Sequence, residues 1–300
     1  MQFMPMPLSS SATIRLAGHL PRLRAAVLLM VLATTPAAAE EPRAPTVPSK
    51  VSQDACPPAL HVVVDPQELK KQVRAAKTTT GLRKLLHPLG LDSAWERQEC
   101  LLQEGPASAQ LDVFRARIMS ADAQDFILQA RGQACDALKL LSGVVLHPLS
   151  GKNTFCATPM EFLPGVMESE AYRVVFSFEN LTDPVRQVFR VEETDADSRN
   201  EYQTLSYWEA QEGSLRSIFT IESGNHSGFV NGSTEAKVTP VGDAFPRFLE
   251  VKESSRECGK FIDMPSGESV YESSCRDAEN EVRMCYRRKS PGAPGFYDKC

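Results

Sequence analysis

The chain of 300 residues has no Cys-x-x-Cys pair, no His-Glu-x-x-His, no glycine-rich phosphate loop and no Gly-x-Ser-x-Gly elbow. Those absences leave no metal, nucleotide or hydrolase motif to read, and no catalytic, cofactor-binding or metal-ligating residue is assigned from the sequence. Basic residues are in deficit, with 33 Lys and Arg against 38 Asp and Glu and a formal net charge of −5. An acidic total argues against nucleic acid as the main partner. Long apolar runs are also missing. The longest, Ala25 to Ala33, is too short to cross a bilayer, so no membrane span is expected in the mature chain.

That one run has a setting. No acidic residue precedes it, Arg15, Arg22 and Arg24 lie upstream, and Ala37, Ala38 and Ala39 follow before Glu40. A basic segment, a short apolar core and a small-residue site make a secretory signal peptide over residues 1–39, cut after Ala39. The alanine-rich leader looks bacterial, which places the mature chain in the periplasm or outside the cell. Without the leader the chain keeps 30 basic and 38 acidic residues, a net charge of −8. Residues 40–55 carry a proline at every third position from Pro42 to Pro48 and few apolar side chains, so they are expected to form a disordered linker.

Eight cysteines, Cys56, Cys100, Cys135, Cys156, Cys258, Cys275, Cys285 and Cys300, all lie beyond the leader. In an exported chain they read as structural disulfides. The long cysteine-free interval after Cys156 separates an early four from a late four, and pairing is expected within each group. Cys135 with Cys156 would close a loop of about 20 residues and contribute roughly 3 kcal/mol.

Residues 56–104 read as a small helical unit. Asp65 can cap, Pro66 suits the first helical position, Glu68 completes the capping-box spacing, and Leu69, Val73 and Ala76 recur on one face to about Lys77. A second helix is expected from Gly81 to before Pro88, and Asp92 is expected to cap a third through Cys100. Beyond Gly105 and Pro106, residues 105–300 alternate with period two. Strands are expected at Leu111 to Met119, Gln124 to Ala130, Leu138 to Leu146, Tyr172 to Phe178, Val185 to Val191, Tyr202 to Ala210, Leu215 to Glu222, Arg247 to Glu253, Glu268 to Cys275 and Glu281 to Arg287. Glu212-Gly213-Ser214 and Asn231-Gly232 supply turns. The fold class that follows is mainly β with a small N-terminal helical unit, an antiparallel meander of about ten to twelve short strands forming a disulfide-stapled sandwich or irregular barrel.

Candidate sites are sparse. Tyr202, Tyr207 and Trp208 could form a sugar-stacking platform, with core packing the plainer reading. Arg283, Arg287 and Arg288 surround Tyr286 and could meet an anionic envelope polymer, with a solvated strand face the plainer reading. The acidic run Glu192, Glu193, Asp195, Asp197 fails the calcium-loop pattern because Arg199 and Asn200 stand at ligand and glycine positions, and reads as a hairpin tip. His87 and His147, each before a proline, read as element ends. His226 and Ser227 read as a Gly-flanked turn with no catalytic part. Sequons at Asn180, Asn225 and Asn231 are expected to be unmodified in a bacterial protein. The expectation for function is a non-catalytic exported β protein acting as a binding, accessory or inhibitory module, its partner an envelope polymer or another exported protein. The alternative is a secreted hydrolase with a carboxylate-based site.

Overall fold

The computed structural model describes residues 56–300 except 94, 96–97, 136–137, 168–170, 198–199, 228–231, 266, 268 and 291–292. The expected leader and linker therefore lie outside the described residues. Three layers stack in order: a helical cover, a six-stranded sheet and an eight-stranded sheet. The fold is mainly β, antiparallel throughout and sandwich-like.

Helix α1 (Pro66–Ala75) starts where the sequence places it. The Asp65 carboxylate accepts from the Gln67 and Glu68 amides, and Leu69 and Val73 are buried. Helix α2 (Thr79–Leu86) starts before Gly81, because Thr78 is the cap and its hydroxyl accepts from Gly81 N. The third helix is shorter than expected, α3 (Glu99–Leu102), and Asp92 does not cap it. Its carboxylate is 3 % exposed and is held by Arg83 Nε at 3.2 Å and His87 Nδ1 at 3.1 Å, so it ties the end of α2 to the following turn.

The first sheet contains β1 (His61–Val63), β2 (Ala107–Ala116), β3 (Asp125–Ala134), β4 (Leu138–Pro148), β5 (Thr154–Pro159) and β6 (Gly165–Met167), ordered β1-β5-β4-β3-β2 with β6 also on β4. Residues 56–104 thus give it an edge strand as well as its helical cover. Both faces of the sheet are buried. Leu128, Val144 and Leu146 pack under the helices with Leu82, Trp95 and Leu101, while Ile127, Leu141 and Val145 face the second sheet. This double burial explains why Leu138 to Leu146 reads as a nearly continuous apolar run. Gly143 keeps the interface closed, since a Cβ there would lie 2.6 Å from Met160 Sδ and 2.7 Å from Leu163 Cδ1.

The second sheet is a meander, β7 (Arg173–Glu179), β8 (Val188–Ala196), β9 (Asn200–Gln211), β10 (Ser214–Ser227), β11 (Gly232–Val241), β12 (Phe248–Asp263), β13 (Ser269–Arg288) and β14 (Gly295–Lys299), each paired with its neighbour in sequence. Phe162, Phe176, Phe178 and Phe189 meet edge-to-face or tilted between the sheets. The sheet then curls on itself around a second core of Leu205, Tyr207, Phe219, Val238, Leu249 and Val251. Tyr286 Oη donates to Glu209 Oε2 at 2.8 Å, Arg247 N donates to Leu181 O at 2.9 Å, and the Phe219 and Tyr297 rings lie 6.3 Å apart.

Several expected boundaries move. Val185 is exposed and precedes β8, because residues 180–187 form a loop in which Asp183 accepts from the Val185 and Arg186 amides and Asn180 Nδ2 donates to Pro184 O and Arg186 O. Glu268 lies outside the described residues, and Ser269 to Cys275 and Glu281 to Arg287 belong to one strand of 20 residues, β13, not two. Glu212 and Gly213, at φ 52° and 78°, form a two-residue turn. Asn231 lies outside the described residues. Ser227 pairs with Gly232, so the connection there spans four residues.

The disulfides are Cys56–Cys156, Cys100–Cys135, Cys258–Cys275 and Cys285–Cys300. None crosses between the early and late groups. Cys135 and Cys156 are not partners. β5 carries Cys156 to the β1 side of the first sheet, where Cys56 lies, and Cys135 sits in a turn at φ 52° near α3 and Cys100.

Candidate functional site

The inner face of the curled sheet continues past its apolar core into an open groove of about 750 Å³. Alternation builds its first wall. On β9, Leu205 shares a face with Gln203 and Glu201, and the register sets Glu192 of β8 opposite Leu205 and Thr194 opposite Gln203. β10 to β13 complete it, with Asn225, Ala236, Val238, Ser254 and Arg256 among the lining residues. A bulge between Glu222 and Gly224 bends β10 here. A Cβ on Gly224 would lie 3.0 Å from Gln203 Oε1, so the glycine leaves room for that side chain.

The floor is Leu205, Ala236 and Val238, and the walls are polar. Among the described residues no aromatic side chain lines the groove. Its arginines are already matched: Arg190 pairs with Glu192 and lies 3.6 Å from Glu179, and Arg256 Nε lies 3.7 Å from Asp277. Glu201 accepts from Gln203 Nε2 at 2.7 Å. Burial pushes the Glu193 carboxyl above its ordinary range, partly offset by its bond to Tyr172. The Tyr172 hydroxyl rises to about 12, through burial first and then the Glu193 charge.

Two buried polar centres lie apart from the groove, and sequence reasoning missed both. Glu209, 2 % exposed, accepts from Gln211 Nε2 at 2.7 Å, Tyr286 Oη at 2.8 Å and Arg186 Nη2 at 3.3 Å, and is also bonded by Thr182. Burial raises the Tyr286 and Tyr207 hydroxyls, and the neighbouring Glu209 and Glu179 charges add to it. Asp125, fully buried, accepts from the Ile118 and Met119 amides at 2.8 Å and meets His147 Nδ1 at 2.7 Å. The only signal in the sequence was an acid set directly against apolar residues, Asp125 before Phe126, Ile127 and Leu128, and Glu209 between Trp208 and Ala210.

The sequence candidates are not gathered into one place. Tyr207 and Trp208 are adjacent and so point to opposite faces. Tyr207 is core, with its hydroxyl on Glu179 Oε2, and Trp208 meets Phe162 in a tilted contact at 5.4 Å and donates to Ser206 Oγ. Tyr202 is exposed on the Trp208 face but six residues away, roughly 20 Å, so no platform forms. Arg283 binds Glu250 at 2.9 Å, Arg287 donates to Lys299 O and Cys300 O, and Arg288 covers the Tyr286 ring at 5.9 Å, which gives each guanidinium a partner within the fold. Glu192, Glu193 and Asp195 belong to strand β8, where alternation sends Glu192 to the face opposite Glu193 and Asp195, while Asp197 follows the strand at the turn into β9 and accepts from Asn200 N at 2.8 Å. His226 and Ser227 also belong to a strand, β10, and His226 is exposed at the groove. Asn180 uses its amide to hold its own loop.

No protein-family model, no curated protein and no solved structure matches this chain.

Proposed function

We propose that this chain is an exported, disulfide-bonded β protein that acts without catalysis, as a binding, accessory or inhibitory module whose ligand lies in the groove across β8 to β13. The observation that carries the reading is the groove itself: an open, polar trough built from six strands on a sheet stapled at its far end. Such a surface suits recognition of an extended partner more than enclosure of a small reactant, whose sites are mostly apolar and concave. The carboxylates that burial could have tuned for acid–base work, Asp92, Asp125 and Glu209, are each held by internal donors, and none of them lines the groove. Four disulfides suit an oxidising compartment outside the cytosol. No helix among the described residues is long and apolar enough to cross a membrane.

Two measurements test this. N-terminal sequencing of protein from the periplasm or culture fluid is expected to read from Glu40, and an intact leader on cytosolic protein would contradict export. The purified protein is expected to turn over none of a panel of ester, peptide and glycan substrates. Turnover that survives purification to homogeneity would replace this reading with a hydrolase.

A further inference from the structure

The order β1-β5-β4-β3 sets four chemistry-bearing side chains in one row across the first sheet. His61 of β1 and His147 of β4 are each directly opposite Cys156 of β5, and Asp125 of β3 meets His147 Nδ1 at 2.7 Å. Alternation puts all four on the face toward the second sheet, since their neighbours Val62, Phe155, Ala157, Leu146 and Phe126 pack under the helices. Residues directly opposite in an antiparallel pair have Cβ atoms about 4.5–5.5 Å apart, which brings the His147 ring within reach of the Cys156 sulfur. That sulfur is bonded to Cys56. Of the four cystines, this one alone has a histidine paired beside it among the described strand residues.

The His147 ring is set up to handle a proton. Asp125 is fully buried and its Oδ2 already accepts from the Ile118 and Met119 amides, so its other oxygen holds the Nδ1 proton of His147 and leaves Nε2 with a lone pair. No other hydrogen bond reaches this ring among the described residues. His61 differs, because its Nε2 lies 3.2 Å from Cys56 O and no carboxylate backs it among the described residues. Cys156 is 8 % exposed and Cys56 is half-buried, so an incoming sulfur reaches Cys56 first.

We propose that Cys56–Cys156 is a reactive cystine that exchanges with a dithiol, a protein or peptide bearing a cysteine pair. A thiolate of the partner, its proton lost to water, attacks Cys56 Sγ. A mixed disulfide forms, the Cys56–Cys156 bond breaks, and the departing Cys156 sulfur takes a proton from His147 Nε2, which water resupplies. The partner's second thiolate then attacks the partner sulfur of the mixed disulfide and expels Cys56, which takes its proton from water. The partner's two thiols are thereby oxidised to a disulfide, and Cys56 and Cys156 are reduced to thiols. In the reverse direction Nε2 removes the Cys156 proton and frees that sulfur as the nucleophile. Asp125 is a positioning residue that fixes the ring. The exchange is stoichiometric and lies apart from the groove, so it stands whether or not the groove binds a ligand.

The test incubates the disulfide-intact protein anaerobically with a synthetic peptide carrying two cysteines, traps free thiols by alkylation at intervals, and reads each cystine separately by peptide mapping. Cys56–Cys156 is expected to open. His147→Gln is expected to slow that opening by about a hundredfold and to leave the other three rates unchanged, which also reports that the variant is folded. The wild-type rate should inflect between about pH 5 and 8, beyond any change the other cystines share. His147→Gln and Asp125→Asn, which withdraws the carboxylate from the ring, should lose that inflection, and His61→Gln should keep it. A Cys56–Cys156 bond that stays closed while the others open, an unchanged rate in His147→Gln, or a slowing shared by all four cystines overturns the proposal. So does an inflection that survives in His147→Gln and disappears in His61→Gln.

Discussion

Replacing Asp125 should show how much of the stability of the first sheet depends on one buried carboxylate. In Asp125→Ala the Ile118 and Met119 amides, both buried, lose their acceptor, and His147 loses its partner. Each orphaned buried donor costs about 1–3 kcal/mol. The imidazole is 19 % exposed and can turn to water, so it adds little. The expected loss is therefore roughly 2–6 kcal/mol, equivalent to a fall in Tm of about 4–24 °C for a domain of this size. Asp125→Asn keeps an oxygen for both amides and can donate to His147 Nδ1 if the ring proton moves to Nε2, so it should lose only about 1 kcal/mol. Urea unfolding followed by tryptophan fluorescence reads both, because Trp95 and Trp208 lie in the two cores that flank the first sheet. A loss below about 1 kcal/mol in the alanine variant, or equal losses in the two variants, would refute the argument that the carboxylate is needed as an acceptor.

Two further outcomes follow from the covalent and ionisable groups. Replacing both Cys56 and Cys156 by Ala opens a loop of 100 residues and should cost up to about 4.7 kcal/mol, against about 3 kcal/mol for the 17-residue loop of Cys258 and Cys275; denaturant midpoints of the two double variants should fall in that order, and non-reducing peptide mapping of the wild type should recover the four pairs described. Tyr172 has its pKa raised from 10.0 to about 12, so the folded state holds that proton more tightly than the unfolded chain and the associated stability is complete below pH 10 and lost as pH rises through about 12; Tyr172→Phe should flatten part of the alkaline fall in stability, and an unchanged profile would contradict the assignment.

What the sequence disclosed depended on how local the cause was. The α1 start is written in three consecutive signals, Asp65, Pro66 and Glu68, and the Glu212-Gly213 turn in two residues with left-handed backbone. The meander followed from alternation, since each strand of the second sheet pairs with its neighbour. Asp92 failed as a cap because its partners, Arg83 and His87, reach it from the preceding helix, which no local rule anticipates. The partner of Cys135 was left open for a similar reason: short separation favours Cys156, but the order β1-β5-β4-β3-β2 takes the two apart. The groove was illegible. Its polar lining is drawn from six strands far apart in sequence, and polar residues within a strand read as a solvated face until the sheet is seen to curl around them.

The division of the pairings has a consequence for how the chain is made. Every strand of the first sheet lies within residues 61–167 and every strand of the second within 173–299, and no disulfide joins the two ranges. As the polypeptide emerges from its N-terminus, the first sheet has all its partners and both its cystines before β7 begins, so it can close while the meander is still being delivered. The meander then zips strand by strand through contacts local in sequence, the kind that form fastest. Its face toward Phe162 meets a surface that is already built. The pairings therefore allow maturation to be ordered in time, with the first half available as the template on which the second, and with it the groove, takes shape.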